Sequence, residues 1–243
     1  MITAEPSRNS RPWPATRPDS FLLENLCPVP DHLIVIRSGA TDYDLQGRIR
    51  GTLGIPLAAE GAAAASRAGL KLAEAPPAAI YASEDESAEE TARIIGVACD
   101  RKPKSISGLG NIDMGLWQGR LIDEIRDTQP RLHRQWQDHP WSVEPPEGEL
   151  LDDVCGRVEE VLEKLFLRHP SGIIAVVVPR PLDAVVAWLV SGRPMGDLWD
   201  FERTLDLAET IPVAAQWHSP PPRIDVLASG RTPTAPHQPF LSR

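Results

Sequence analysis

The chain has 243 residues, 42% of them hydrophobic and 24% charged, which supplies the core of one α/β domain with tails. Its formal net charge of −9 argues against nucleic acid and anionic membranes as partners, because both select basic patches. No stretch reaches the roughly 18 apolar residues of a membrane helix, and no apolar leader opens the chain, so a cytoplasmic protein without membrane contact is expected.

Residues 1–30 hold six of the 25 prolines and little periodicity, and read as a proline-rich extension. The first strong element is Leu33 to Gly39, LIVIRSG, an apolar run ending in a polar elbow. Such a run reads as a buried strand of a parallel sheet, and ligands of open α/β sheets bind beyond the carboxyl ends of such strands. Arg37 and Ser38 stand at that end. A polar loop follows over 41–54, and an Ala-rich helix is expected over 61–74. Ala79 to Ala82 reads as a short strand. Helix 84–97 starts at a capping box from Ser83 to Glu86, with Glu84, Asp85 and Glu86 in an acidic first turn.

A third strand is expected over 105–109, then an irregular stretch holding Trp117, Trp136 and Trp141. Leu150, Val154, Val158, Val161, Leu162 and Leu165 recur at helical spacing within a helix over 149–167. Ile173 to Val178 is the second buried strand. Pro181 in a first helical turn opens helix 182–191. Closing strands are expected over 211–217 and 223–227. Residues 219–243, with prolines 220–222, 233, 236 and 239, read as a second proline-rich tail. Strands alternating with helices predict a three-layer α/β/α sandwich with a mostly parallel central sheet over residues 31–218.

Cys27, Cys99 and Cys155 are odd in number and widely spaced, which suggests neither a disulfide framework nor a metal site, and Cys99 and Cys155 read as buried thiols. No cofactor is expected.

The order of motifs resembles the histidine phosphatase superfamily, also called phosphoglycerate mutase-like, over roughly residues 32–217. Its first signature stands as LIVIRSGATDYDLQGRIRGTLGIPLAAEG, matching at Arg37, Gly39, Thr41, Gly47, Arg48, Gly51, Ile55 to Leu57 and Gly61. Its second stands as IYASEDESAEETARII, matching at Ser83, Ala88, Thr91 and Ala92. The third matches at Gly115, Trp117 and Gly119, and EGELLDDVCGRV and IIAVVVPRPLDAVV stand where two later motifs belong.

The resemblance implies a phosphoryl-transfer site with a histidine nucleophile after the first strand, and that position holds Ser38. A second histidine corresponds to Pro179, a second phosphate-clamping arginine to Ser87, and the acidic proton donor to Asn111. Arg37 remains. These four positions imply a vestigial site, since a serine hydroxyl needs a base that imidazole does not. Loss of a nucleophile costs on the order of 10⁶ in rate where it has been measured in proteases. The expectation is a pseudophosphatase with an interaction or regulatory role, partnered by an unidentified protein or a phosphorylated small molecule. The alternatives are a phosphatase or phosphomutase with displaced groups, and a non-catalytic binder of a phosphorylated ligand. Phosphate-binding candidates are Arg37, Ser38, Thr41 and Arg48. Arg180 is a new cation beside Pro179. A loop carrying His133 or His139 could in principle reach the pocket, against the plainer reading of both as exposed surface residues. Relatives in that family include dimers, and an oligomer stays open because no residue pattern here singles out an interface.

Overall fold

Two apolar runs form the middle of a sheet. β1, His32–Arg37, and β4, Ile173–Val178, pair in parallel from His32 beside Ile173 to Arg37 beside Val178. The computed structural model describes residues 29–193, 195, 198–199, 206–214 and 217, and the backbone alone of residue 142. Successive strand side chains alternate between faces. Leu33 and Val35 join Ile174, Val176 and Val178 on one face, while Ile34 and Ile36 join Ala175 and Val177 on the other. Both faces are buried, so the strands carry unbroken apolar runs rather than an alternation.

β2, Ala79–Ser83, pairs in parallel with β4, and the short β3, Lys104–Ile106, pairs in parallel with β2. β5, Ala208–Pro212, runs antiparallel along β1. The order is β3-β2-β4-β1-β5. Two helices, α2 at Ala59–Leu72 and α3 at Glu86–Cys99, cover the face that carries Ile34 and Ile36. They approach closely because their contact is made of small residues: a Cβ on Gly69 would stand 3.0 Å from the Ala98 Cβ. The opposite face is covered by α6, Leu151–Arg168, and α7, Leu182–Ser191, through Val154, Val158, Leu162, Leu165, Val185 and Leu189. The arrangement is the three-layer α/β/α sandwich with a mostly parallel sheet that the sequence predicts.

Several local expectations change. The loop after β1 contains one helical turn, α1, Asp42–Leu45, capped by Thr41. The capping box expected from Ser83 to Glu86 does not form. Asp85 is the residue that precedes α3, and Ser83 Oγ instead accepts from the Asp85 N–H at 3.1 Å. The stretch around the tryptophans holds two short helices, α4 at Ile122–Thr128 and α5 at Pro130–Asp138. There Trp136 stacks on Trp199 with ring centroids 5.4 Å apart, and Trp117 packs edge-on against both. Pro181 precedes α7 instead of lying in its first turn. The third strand starts and ends earlier than expected, and β5 begins at Ala208 rather than 211. The expected strand over 223–227, residues 1–28, residues 218–243 and Cys27 lie outside the described residues. Cys99 and Cys155 are buried free thiols, and burial raises the Cys99 thiol above its ordinary value. No helix among the described residues is long and apolar enough to cross a membrane.

Candidate functional site

Parallel pairing fixes the place of the site. Arg37 is level with Val178 and Ala82 is level with Val177, so three strands end on one edge of the sheet. Ser38, Pro179 with Arg180, and the Ser83–Ser87 turn therefore converge there. The elbow after β1 is held by backbone and side-chain bonds. Ser38 N–H donates to the Val178 carbonyl at 2.8 Å, and Gly39 N–H donates to Thr91 Oγ1 at 2.9 Å. Thr91, fully buried on α3, passes its own proton to the Ser87 carbonyl at 2.7 Å. Gly39 and Gly61 nearly touch: a Cβ on Gly39 would lie 2.5 Å from the Gly61 carbonyl oxygen, and one on Gly61 would lie 2.1 Å from the Ala40 carbonyl oxygen. Only glycine fits either position.

The centre of the site is a chain of polar side chains. Ser38, 4% exposed, has its hydroxyl 3.2 Å from that of Ser87. Ser87 has one proton, and it donates to Asp85 Oδ1 at 2.7 Å, the stronger acceptor. Ser87 Oγ in turn accepts from Arg50 Nη1 at 2.6 Å. Arg50 thus brings a guanidinium to the position where the sequence reading finds a serine in place of a phosphate-clamping arginine. Its Nη1 also lies 3.8 Å from Asp44 Oδ2 and 4.0 Å from Asp85 Oδ1. Its Nε and Nη2 are buried without an acceptor.

The other candidate residues fall into separate roles. Arg37 reaches this edge, and its Nε donates to Asp183 Oδ2 at 2.7 Å, on the first turn of α7. Asn111 is buried and ties two loops together: its Nδ2 donates to the Gly51 carbonyl at 2.8 Å and to the Arg180 carbonyl at 2.9 Å. Pro179 supplies no side-chain polar atom and accepts from the Asp183 N–H through its carbonyl at 3.2 Å. Thr41 is not a wall of either cavity described below. Its hydroxyl donates to Asp44 Oδ2 at 2.7 Å and accepts from the Asp44 N–H, a reciprocal cap on α1. Arg48 points its Nη1 at the Gly119 carbonyl, 2.7 Å away, and its Nε at Gln46. His133 is 8% exposed and packs against Trp199 in the aromatic cluster, which corrects its expectation as a surface residue. His139 lies exposed at the end of α5.

Two of the cavities that reach this edge lie between its loops. One of about 20 Å³ has Arg48, Arg50, Gly51, Met114, Arg180 and Trp199 among its walls. The other, of about 190 Å³, is walled by Arg37, Ser38, Ala40, Leu45 and Leu207, and shares Asp44 and Arg180 with the first. Among the described residues no three His, Cys, Asp or Glu side chains converge as a metal would require.

Arg50 is the residue that sequence reasoning misses. The signal is local: the Gly47-Arg48-Ile49-Arg50-Gly51 loop carries a second arginine two residues after the first. Arg48 bridges to Leu121, Ile49 enters the core, and Gly51 takes a φ of +57° against Gln118. That geometry turns Arg50 inward.

The family model of the histidine phosphatase superfamily (branch 1) matches residues 33–216. Among curated proteins, phosphoserine phosphatase 1 of Hydrogenobacter thermophilus is 29% identical over 170 residues, 70% of this chain and 80% of that protein. Among solved structures, Bacillus stearothermophilus YhfR superposes with a TM-score of 0.63 at 28% identity, over 70% of this chain and 84% of that one. The mycobacterial glucosyl-3-phosphoglycerate phosphatase Rv2419c superposes with a TM-score of 0.62 at 23% identity, over 70% and 83%.

Proposed function

The chain belongs to the histidine phosphatase superfamily, and we propose that it is a non-catalytic member, a pseudophosphatase whose fold serves binding or regulation. The observation that carries this reading is the Arg50–Ser87–Ser38 chain at the end of β1. Phosphoryl transfer needs an in-line nucleophile, cationic donors for the equatorial oxygens and an acid for the leaving group. The side-chain partner of Ser38 is another hydroxyl, which is no base at neutral pH. The carboxylate that could serve, Asp85, lies one hydroxyl further on and faces Arg50. Arg37 is paired with a carboxylate, and Asn111 has its amide protons on two backbone carbonyls.

The test is steady hydrolysis of p-nitrophenyl phosphate by the purified full chain beside its Arg37→Ala and Asp85→Asn variants. The expected result is the same background rate for all three. Turnover by the wild type that either substitution abolishes would overturn the reading in favour of a phosphatase using Ser38, with Asp85 acting through Ser87.

A further inference from the structure

β5 closes the sheet on one side, and its outer edge is open. Arg37 N–H donates to the Leu207 carbonyl at 2.8 Å, and Val213 N–H donates to the Asp31 carbonyl at 3.1 Å. Leu207, Glu209, Ile211 and Val213 therefore turn their backbone toward β1, while Ala208 and Thr210 turn theirs outward. Among the described residues, neither Ala208 nor Thr210 has a backbone partner on that side. Such an edge is a template for another strand. A hollow flanks it on each face of the sheet. On the α7 side, about 400 Å³ lies between Ala187, Trp188, Met195 and Glu209. On the α2 side, about 220 Å³ lies between Arg67, Lys71, Leu72, Ala208 and Thr210. Lys71 is paired with Asp206, but Arg67 has no carboxylate partner among the described residues.

The two hollows set what fits. A strand added to this edge alternates its side chains between them. The α7 side offers Trp188 and Met195 to apolar side chains, and the α2 side offers Arg67 to an acid. Arg-Ile-Asp-Val-Leu at 223–227 has that alternation, with Ile224 and Val226 on one face and Asp225 on the other. The chain is anchored shortly before it: the Trp217 indole N–H donates to the Leu189 carbonyl at 3.0 Å. Residues 218–222 span up to about 17 Å when extended, several times the roughly 5 Å between neighbouring strands. We propose that residues 223–227 add to the outer edge of β5 as an antiparallel strand, with Asp225 opposite Thr210. In that register Asp225 and Thr210 exchange backbone hydrogen bonds, and the Asp225 carboxylate comes to the α2 side, toward Arg67. Ile224 and Val226 lie beside Ile211 and Glu209 on the α7 side, and Leu227 lies opposite Ala208. Arg223 falls opposite Pro212, which has no N–H to offer. The added strand closes this edge to a second copy of the chain or a foreign peptide. The proposal is independent of the non-catalytic reading above.

Amide hydrogen exchange of the full chain, followed residue by residue by NMR, tests it. The Thr210 amide is expected to exchange about tenfold or more slowly than an exposed loop amide. Asp225→Pro, which removes the donor facing Thr210, is expected to abolish that protection. The Glu209 and Ile211 amides, bonded to β1, are expected to stay protected in both proteins, which separates a lost strand from a lost fold. In the wild type an NOE is expected between the Hα protons of Val226 and Glu209, a pair that the register places at a non-hydrogen-bonded position. Thr210 exchange at the loop rate, or protection kept in Asp225→Pro, overturns the proposal. Protection that rises with protein concentration also overturns it, since a second copy then covers the edge. Should Asp225→Pro fail to fold, the wild-type NOE decides, and its absence overturns the proposal.

Discussion

Arg37 Nε and Asp183 Oδ2 lie 2.7 Å apart, joining the end of β1 to the first turn of α7 across 146 positions of sequence. The pair places a carboxylate on the arginine that the family pattern puts directly before the nucleophile position. Both side chains are mostly buried, at 13–17% exposure, so the cost of desolvating two charges offsets most of their attraction and leaves a net effect on the order of 1 kcal/mol. Asp183→Asn keeps an acceptor and removes the charge. The variant is expected to unfold at slightly lower denaturant concentration. In thermal melts it should also gain more from added inorganic phosphate than the wild type does. Equal gains would show that Asp183 does not govern the charge of this crevice.

The two close glycines give a second prediction. Gly61→Ala forces a methyl against the Ala40 carbonyl and should destabilise the fold by about 1–3 kcal/mol in urea titration, because backbone must move to admit it. Gly156, in the interior of α6, has open space around its would-be Cβ. Gly156→Ala is expected to stabilise by about 0.5–1 kcal/mol through helix propensity. Opposite signs from the same substitution separate steric contact from backbone entropy, and a stabilised Gly61→Ala would contradict the packing described for the elbow.

Tyr81 Oη lies 2.8 Å from His169 Nε2, at the carboxyl end of α6. Burial first, then the charges of Arg168 and Lys104, hold the imidazole below its ordinary value. The folded chain therefore resists a proton that the unfolded chain accepts. The stabilising effect is complete above about pH 6.5, the ordinary imidazole value, and is lost as pH falls from there through the depressed folded value. Stability of the wild type measured by denaturant is expected to drop more between pH 7.5 and 5.5 than that of His169→Gln. Parallel declines in the two proteins would assign the pH dependence to other groups.

The framework was readable because it depends on local pattern. The apolar runs at 33–36 and 173–178 declare strands buried on both faces, and the spacing of Val154, Val158, Leu162 and Leu165 declares one face of α6. The misread parts are either too short for a periodic pattern or depend on distant partners. The one-turn helix at Asp42–Leu45 is too short for periodicity to reveal, and its cap is a side-chain exchange between Thr41 and Asp44. α4 and α5 lie among tryptophans, Trp117 before them and Trp136 within α5, whose packing partner, Trp199, lies more than 60 residues on from Trp136. The site shows the same division. Positions Ser38, Ser87, Asn111 and Pro179 were legible by motif order, but their contacts were not. That Arg50 rather than Arg48 turns inward is decided by a bridge to Leu121, about 70 residues away.

The Asn111 amide has a further effect on what the crevice can admit. It spans from the loop after β1 to the loop after β4, and the two carbonyls it holds belong to residues that both wall the smaller cavity. Widening that gap would break two hydrogen bonds to a buried amide whose oxygen already lacks a partner. The mouth is therefore a fixed gauge, not a hinged flap. Any ligand of this crevice would therefore have to fit the gap as it stands, by girth as well as by charge.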